Sequence, residues 1–299
     1  MGTSTAFGGG KNSNPLIPSW LDASVDAQSN DKTSPLQNGE SPAEQPDSSP
    51  EVPSITVNNP QPIVTDIIPV LPSDNRFSTA RRNFTAFTNS GGSDRASLGR
   101  AVASYVSKTT GGSRQAAKRM KSERTAGSRL GNILSMASTN GIREVIKNLN
   151  LNSLVNRPVA DIYAALVDVI CPLGGDLDDS IARDAYIEAI GEVAEMELGD
   201  LEQPSVDTIT TIMECFISNA IKNRIMNAIA AKVITLPDSV QAVQNIEGQL
   251  KDFIRGAVSD AIANKGNVFP TNQMNKTIDS LYERSFVVLE ALAEHEAVQ

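Results

Sequence analysis

The chain has 299 residues, a net charge of −9, one His, two Cys and 4% aromatic residues. A single His and two Cys exclude zinc sites built on paired histidines, most Ser-His-Asp arrangements and a disulfide framework, and no run approaches the roughly 18 apolar residues that cross a bilayer. Charge is segregated along the chain: residues 1–75 carry two Lys/Arg against nine Asp/Glu, residues 76–132 carry twelve against two, and residues 133–299 carry twelve against twenty-four. This pattern predicts an acidic globule with a basic helical segment, available to nucleic acid or to an acidic surface.

Residues 1 to about 60 are rich in Ser, Asn, Asp, Gly and Pro and cannot bury enough surface to offset chain entropy, so a disordered arm is expected over 1–75. Two apolar islands interrupt it, Pro15–Leu21 with the only Trp, and Ile63–Leu71. Both are candidates to dock on the folded body or on a partner, because their prolines preset an extended backbone. Helical spacing begins at Ser93, with Leu98, Val102, Tyr105 and Val106 on one stripe, and Gly111-Gly112 breaks it. One further helix is predicted from about Ser113 to Met136, basic and solvated in its first half.

The rest reads as amphipathic helices between short breakers. Ile142–Leu149 is brief, and Pro158 opens a helix carrying Ile162, Leu166 and Val169 that stops before Pro172. After Gly174-Gly175 comes a stripe of Ile181, Ala185, Ile187, Ile190, Val193 and Ala194, and Pro204 stands at the start of a long helix through Ile209, Ile212, Phe216, Ala220, Ile225 and Ile229. Asp238 is placed to cap a helix striped by Val240, Ile246, Leu250, Ile254 and Val258, and the last helix runs from about Thr271 through Met274, Ile278, Leu281 and Ser285. The fold class is therefore all-α: a bundle-like C-terminal domain behind a long N-terminal arm, divided as arm 1–75, basic helical segment 76–136 and acidic helical domain 137–299.

Familiar catalytic patterns fail on spacing. Gly8-Gly9-Gly10-Lys11 lacks the Gly and the Ser/Thr of a phosphate loop, which would have to stand at Thr5 and Asn12. Asp176, Asp178 and Asp179 would put Ile181 and Ile187 at positions six and twelve of a calcium loop, where neither works. His295 is a lone tail residue, and Cys171 and Cys215 sit in apolar patterns that predict buried, reduced thiols. Glu188, Glu192 and Glu195 share a helical face expected to be solvated. Within the basic segment, Arg114, Lys118, Arg119, Lys121 and Arg124, with Phe77, Phe84, Phe87 and Tyr105 nearby, have the chemistry to neutralise phosphates and stack bases. The competing reading is a clamp of this segment onto the acidic domain.

The first ten residues offer a different chemistry. A small second residue lets Met1 be removed, and an α-amine with a pKa near ~7.7–8.0 is partly unprotonated at neutral pH, unlike lysine. Ala6 stands where N-myristoylation wants Ser or Thr. An arm of roughly 60 flexible residues reaches ~40 Å, enough to enter a neighbour's cleft.

Met1-Gly2-Thr3-Ser4 with Phe7-Gly8-Gly9-Gly10, then Pro15-Leu16-Ile17-Pro18-Ser19-Trp20-Leu21-Asp22 and Gly91-Gly92-Ser93-Asp94-Arg95-Ala96-Ser97-Leu98-Gly99-Arg100-Ala101, resemble the QatB component of bacterial Qat anti-phage systems. The resemblance implies an operon that also encodes an ATPase, a QueC-like enzyme and a TatD-like nuclease. QueC-like enzymes adenylate the carboxylate of a 7-deazaguanine, and in related defence systems such an enzyme uses a protein N-terminal amine as acceptor. Carried onto this chain, the acceptor is Gly2, and Thr3, Ser4, Phe7, Gly8, Gly9, Leu16, Ile17, Trp20 and Leu21 are the partner-binding positions. The expectation is a cytoplasmic, non-enzymatic defence subunit with no cofactor of its own. The alternative is an adaptor that recruits DNA to the nuclease through the basic segment.

Overall fold

Apolar side chains recur every three or four residues through the folded chain, and each such stripe closes into a helix. The computed structural model describes residues 75–196, 199–230, 239–266 and 269–296, all within one unit, Asp66–Gln299. No strand occurs among the described residues, and the expected all-α class holds. The arm expected over 1–75, with its two apolar islands, lies outside the described residues apart from Asn75.

In chain order the helices are α1 (Asn75–Asn89), α2 (Arg95–Ser104), α3 (Ser113–Lys118), α4 (Lys121–Asn140), α5 (Ile142–Asn148), α6 (Val159–Ala165), α7 (Val167–Ile170), α8 (Leu177–Glu195), α9 (Val206–Ala230), α10 (Val240–Ala263) and α11 (Met274–Glu296). A π-helical turn, Tyr105–Thr110, extends α2. Caps follow the local sequence: the Asp94 side chain accepts from the Ser97 N–H at 2.9 Å, and Ser239 accepts from Ala242 at 3.1 Å. Asp238, the expected cap of α10, lies outside the described residues, and Ser239 takes that role.

Helix α9 is enclosed nearly all round, with Ile212, Met213, Phe216, Ile217, Ala220, Ile221 and Ile225 fully buried, which marks it as the central element. It packs on α4, α8 and α10, while α11 packs on α2, α3, α4 and α10. One buried cluster runs from Ala80 on α1 to Leu289 on α11, so the basic and acidic segments share a core. Two elements depart from expectation. Helix α1 carries no predicted counterpart, although Ala80, Phe84 and Phe87 stand at helical spacing and are fully buried. The single helix expected over 113–136 is two, because the chain turns at Arg119-Met120 to bury the Met120 side chain completely.

Close approach around α4 depends on Gly127 and Gly131, four residues apart on one face. A Cβ on Gly127 would stand 3.1 Å from the Phe216 ring and 3.3 Å from Ile278 Cγ2, whereas one on Gly131 would stand 2.6 Å from Met274 Sδ. The ring is locked in the core, but a thioether can change rotamer. Gly127→Val is therefore expected to destabilise the fold by about 1–3 kcal/mol through overpacking. Gly131→Ala gains helix propensity and should stay within about 1 kcal/mol of the parent. Urea unfolding checks both, and equal losses would contradict this packing.

Candidate functional site

The residues first singled out for chemistry fall into two groups. Gly2, Thr3, Ser4, Phe7, Gly8, Gly9, Leu16, Ile17, Trp20 and Leu21 lie outside the described residues. The second group is displayed around the α3–α4 corner, where Arg114, Lys118, Arg119 and Lys121 are exposed because Ala116, Ala117 and Met120 turn the other side of the corner into the core. None of these four cations forms an ion pair among the described residues. Arg124 differs, since its guanidinium binds Asp279 on α11 at 2.6 Å. A Glu290 carboxylate accepts from the Ser113 N–H at 3.2 Å, so part of the basic segment does clamp onto an acidic helix.

The stacking rings expected beside these cations are mostly core residues. Phe84 and Phe87 are fully buried, with centroids 5.7 Å apart, and Tyr105 is nearly so. Phe77 is half-buried, with the guanidinium carbons of Arg76 and Arg81 at 5.9 and 4.7 Å from its ring centroid. Phe84 and Phe87 follow Ala80 at i, i+4, i+7 spacing that serves helix packing, and burial removes Phe84, Phe87 and Tyr105 as base-stacking platforms.

A buried charge centre, which the sequence reading did not single out, lies beneath the same corner. Glu123 on α4 has no exposed surface, and its Oε1 stands 3.2 Å from Arg224 Nε on α9. The same guanidinium donates to the Asp178 carboxylate at the start of α8 and to the Arg119 backbone carbonyl. The fully buried Tyr282 hydroxyl of α11 has no hydrogen-bond partner among the described residues. Burial pushes the Glu123 carboxyl up to about 7, with Arg224 opposing the rise, while the hydrogen bond from Arg224 holds Asp178 below the usual carboxylate range.

Other titratable groups are occupied structurally. Glu188 accepts from Lys222 at 2.6 Å, and Glu192 binds Lys251 at 2.5 Å and Asn219 at 2.7 Å, which corrects the expectation of a solvated face. Both point from α8 toward cations on α9 and α10, and Glu195 alone of the three remains exposed. Cys171 and Cys215 are free and buried as expected, and burial raises their thiols to about 12 and about 11, away from thiolate chemistry. Among the described residues, no group of three or more His, Cys, Asp or Glu converges to hold a metal. No described helix is long and apolar enough to cross a membrane.

The family model described as Qat anti-phage system associated protein QatB matches residues 111–289, more than half of the chain. The chain belongs to the QatB family. No curated protein and no solved structure matches it. The QatB match begins at Gly111, after the π-helical turn, and ends within α11, so it takes in the exposed corner and the buried charge centre but not the N-terminal residues. Membership places the chain in an anti-phage defence system and implies partners encoded beside it.

The charge centre gives a pH dependence with a definite sign. Folded Glu123 holds its proton more tightly than an unfolded Glu, so its contribution to stability is full below about pH 4.5 and is lost as pH rises to about 7. Asp178 acts in the opposite sense, its contribution being present above the ordinary carboxylate value of 3.8 and lost on acidification. Glu123→Gln removes the first effect and leaves the second. Its melting temperature relative to the parent should therefore be highest at pH 8 and should fall towards pH 5. A difference that does not vary over this interval would show that Glu123 does not titrate there.

Proposed function

We propose that this QatB-family chain is the acceptor subunit of its defence system, a non-enzymatic cytoplasmic protein whose helical body binds a QueC-like enzyme while Gly2 is conjugated to a 7-deazaguanine. The observation that carries this reading is the Met1-Gly2-Thr3-Ser4 start with Phe7-Gly8-Gly9-Gly10, joined to a body that belongs to an anti-phage family. The state of the body's own groups agrees with a division of labour: its thiols are buried and protonated, and Glu123, Asp178, Glu188 and Glu192 are engaged with cations or amides.

In this reading the partner activates the deazaguanine carboxylate as an acyl adenylate. The unprotonated Gly2 amine attacks the acyl carbon, the bond to AMP breaks, an amide forms and the amine proton passes to solvent or to a base of the partner. Gly2 presents no side chain that would obstruct the approach, and Thr3 and Ser4 with the Phe7–Gly9 segment lie along the partner's cleft. Leu16, Ile17, Trp20 and Leu21 supply an apolar anchor behind it. The ATPase and the TatD-like nuclease are further members of the assembly.

Intact-mass spectrometry of the chain co-expressed with its operon tests the proposal. The expected species lacks Met1 and carries one deazaguanine amide on Gly2. Replacing Gly2 by a large residue that retains Met1 should abolish both adduct and phage protection, and an unmodified terminus in a protective operon would refute conjugation.

The exposed set of Arg114, Lys118, Arg119 and Lys121, without ion pairs among the described residues, supports a second reading, an adaptor that brings nucleic acid to the nuclease. Binding of that kind weakens steeply with salt as counterions return to the phosphates. Simultaneous reversal of these four charges to Glu should abolish DNA retention at low salt in the adaptor reading, and should leave the Gly2 adduct at parental yield in the acceptor reading. The two outcomes are read from the same preparation by mobility shift and intact mass.

A further inference from the structure

Helices α6 and α8 enclose an open groove of about 330 Å³ that is lined by neither the charge-centre residues nor the exposed cations. Its volume exists because small residues line it: Ala160 and Ala164 on α6, and Gly191 and Ala194 on α8, all exposed. A Cβ built on Gly191 would meet nothing within 4 Å, so the space is open at that wall. Its floor is fixed, since Tyr186 is fully buried and its hydroxyl donates to the Tyr163 carbonyl at 2.6 Å, tying α8 to α6. Ile187 stands on the rim at 54% exposure. A preformed apolar recess whose rim carries an exposed isoleucine seats a side chain at little reorganisation cost, and it lies at the small end of ligand-sized sites of roughly 300–1,000 Å³.

Charge narrows the occupant. Asp161 lines the groove, Asp184 stands one turn before Ile187, and Glu195 stands one turn after Gly191. All three are exposed and form no ion pair among the described residues, and no Lys or Arg lines the groove. On the same helix Glu188 and Glu192 already hold Lys222 and Lys251, and Asp179 lines a separate pocket, which leaves Asp184 and Glu195 as the α8 carboxylates near the groove without an ion pair among the described residues. The complement is a large apolar side chain flanked by Lys or Arg. This chain's own exposed cations at the α3–α4 corner do not supply it, because the apolar residues among them, Ala116, Ala117 and Met120, are buried.

We propose that the α6–α8 groove is the docking site for the QueC-like partner, taking an apolar anchor flanked by basic residues. The partner's identity rests on the acceptor reading above; the groove and its acidic rim do not. Docking here would hold the body on the enzyme while the N-terminal segment is delivered to the active site, separating anchoring from presentation.

The test uses the full chain and the QueC-like enzyme of its operon. Ile187→Asp places a charge on the rim, and Gly191→Phe fills the recess from an exposed helical position; each should weaken the complex at least tenfold by titration calorimetry without lowering the melting temperature. Asp161→Lys with Asp184→Lys should weaken it further as salt is lowered, the reverse of the parent. Parental binding by both the rim and filling variants overturns the groove while leaving the acceptor reading intact. A variant-sensitive complex whose parental chain carries no Gly2 adduct defeats the acceptor reading and retains the groove. Failure of the parent to bind the enzyme defeats both, and parental self-association abolished by Gly191→Phe reassigns the groove to a second copy and overturns the proposal.

Discussion

One guanidinium, that of Arg224, joins the central helix to three other places in the chain: the Glu123 carboxylate on α4, the Asp178 carboxylate on α8 and the carbonyl of Arg119 at the α3–α4 corner. A carboxylate with no exposed surface is costly to ionise unless a cation stands beside it, and a buried pair of this kind contributes more to geometry than to net stability. The planar fork of the arginine restricts where its two hydrogen-bond acceptors, Asp178 and the Arg119 carbonyl, can lie, while Glu123 is held as an ion pair. That restriction sets the angle at which α3 leaves α4, and with it the outward display of Arg114, Lys118, Arg119 and Lys121. The corner is thus a surface feature fixed by a buried one.

The later helices were legible because their apolar residues are numerous enough to show a period. Ile246, Leu250, Ile254 and Val258 on α10 and Met274, Ile278 and Leu281 on α11 are all buried, as their spacing predicts. Helix α1 was not legible, because its three core residues are scattered among Arg76, Arg81 and Arg82, and cations beside aromatic rings read equally well as a nucleic-acid surface. The break at Arg119-Met120 has no Gly or Pro to mark it; it is imposed by tertiary burial of Met120 and by the Arg224 contact, both of which reach it from distant parts of the chain. Glu123 was hidden for the same reason: it stands in a run of polar residues, Lys121-Ser122-Glu123-Arg124-Thr125, whose composition describes a wet helix face. Only the partner at position 224 explains its burial.

For the groove, the sequence carried half the signal. Ala160 and Ala164 recur at one-turn spacing, as do Ile187 and Gly191, but small residues at that spacing most often mark two helices in contact. Here the Tyr186–Tyr163 hydrogen bond holds α8 at a distance from α6 that leaves the space between those residues unfilled. A tyrosine acting as a spacer has no signature of its own in a linear pattern.

The π-helical turn Tyr105–Thr110 holds one residue more per turn than the α-helix it continues, and that surplus rotates everything after it. The rotation lets the Thr109 hydroxyl reach back to the Arg76 carbonyl at 2.8 Å and latch the first turn of α1 onto the bundle, while Gly111 and Gly112, at φ of +89° and +101°, release the chain toward α3. If the same residues took ordinary α geometry, with none removed, Thr109 would advance by about 100° around the helix axis and its hydroxyl would leave the Arg76 carbonyl. The attachment of α1 therefore depends on a local miscount in the helical repeat.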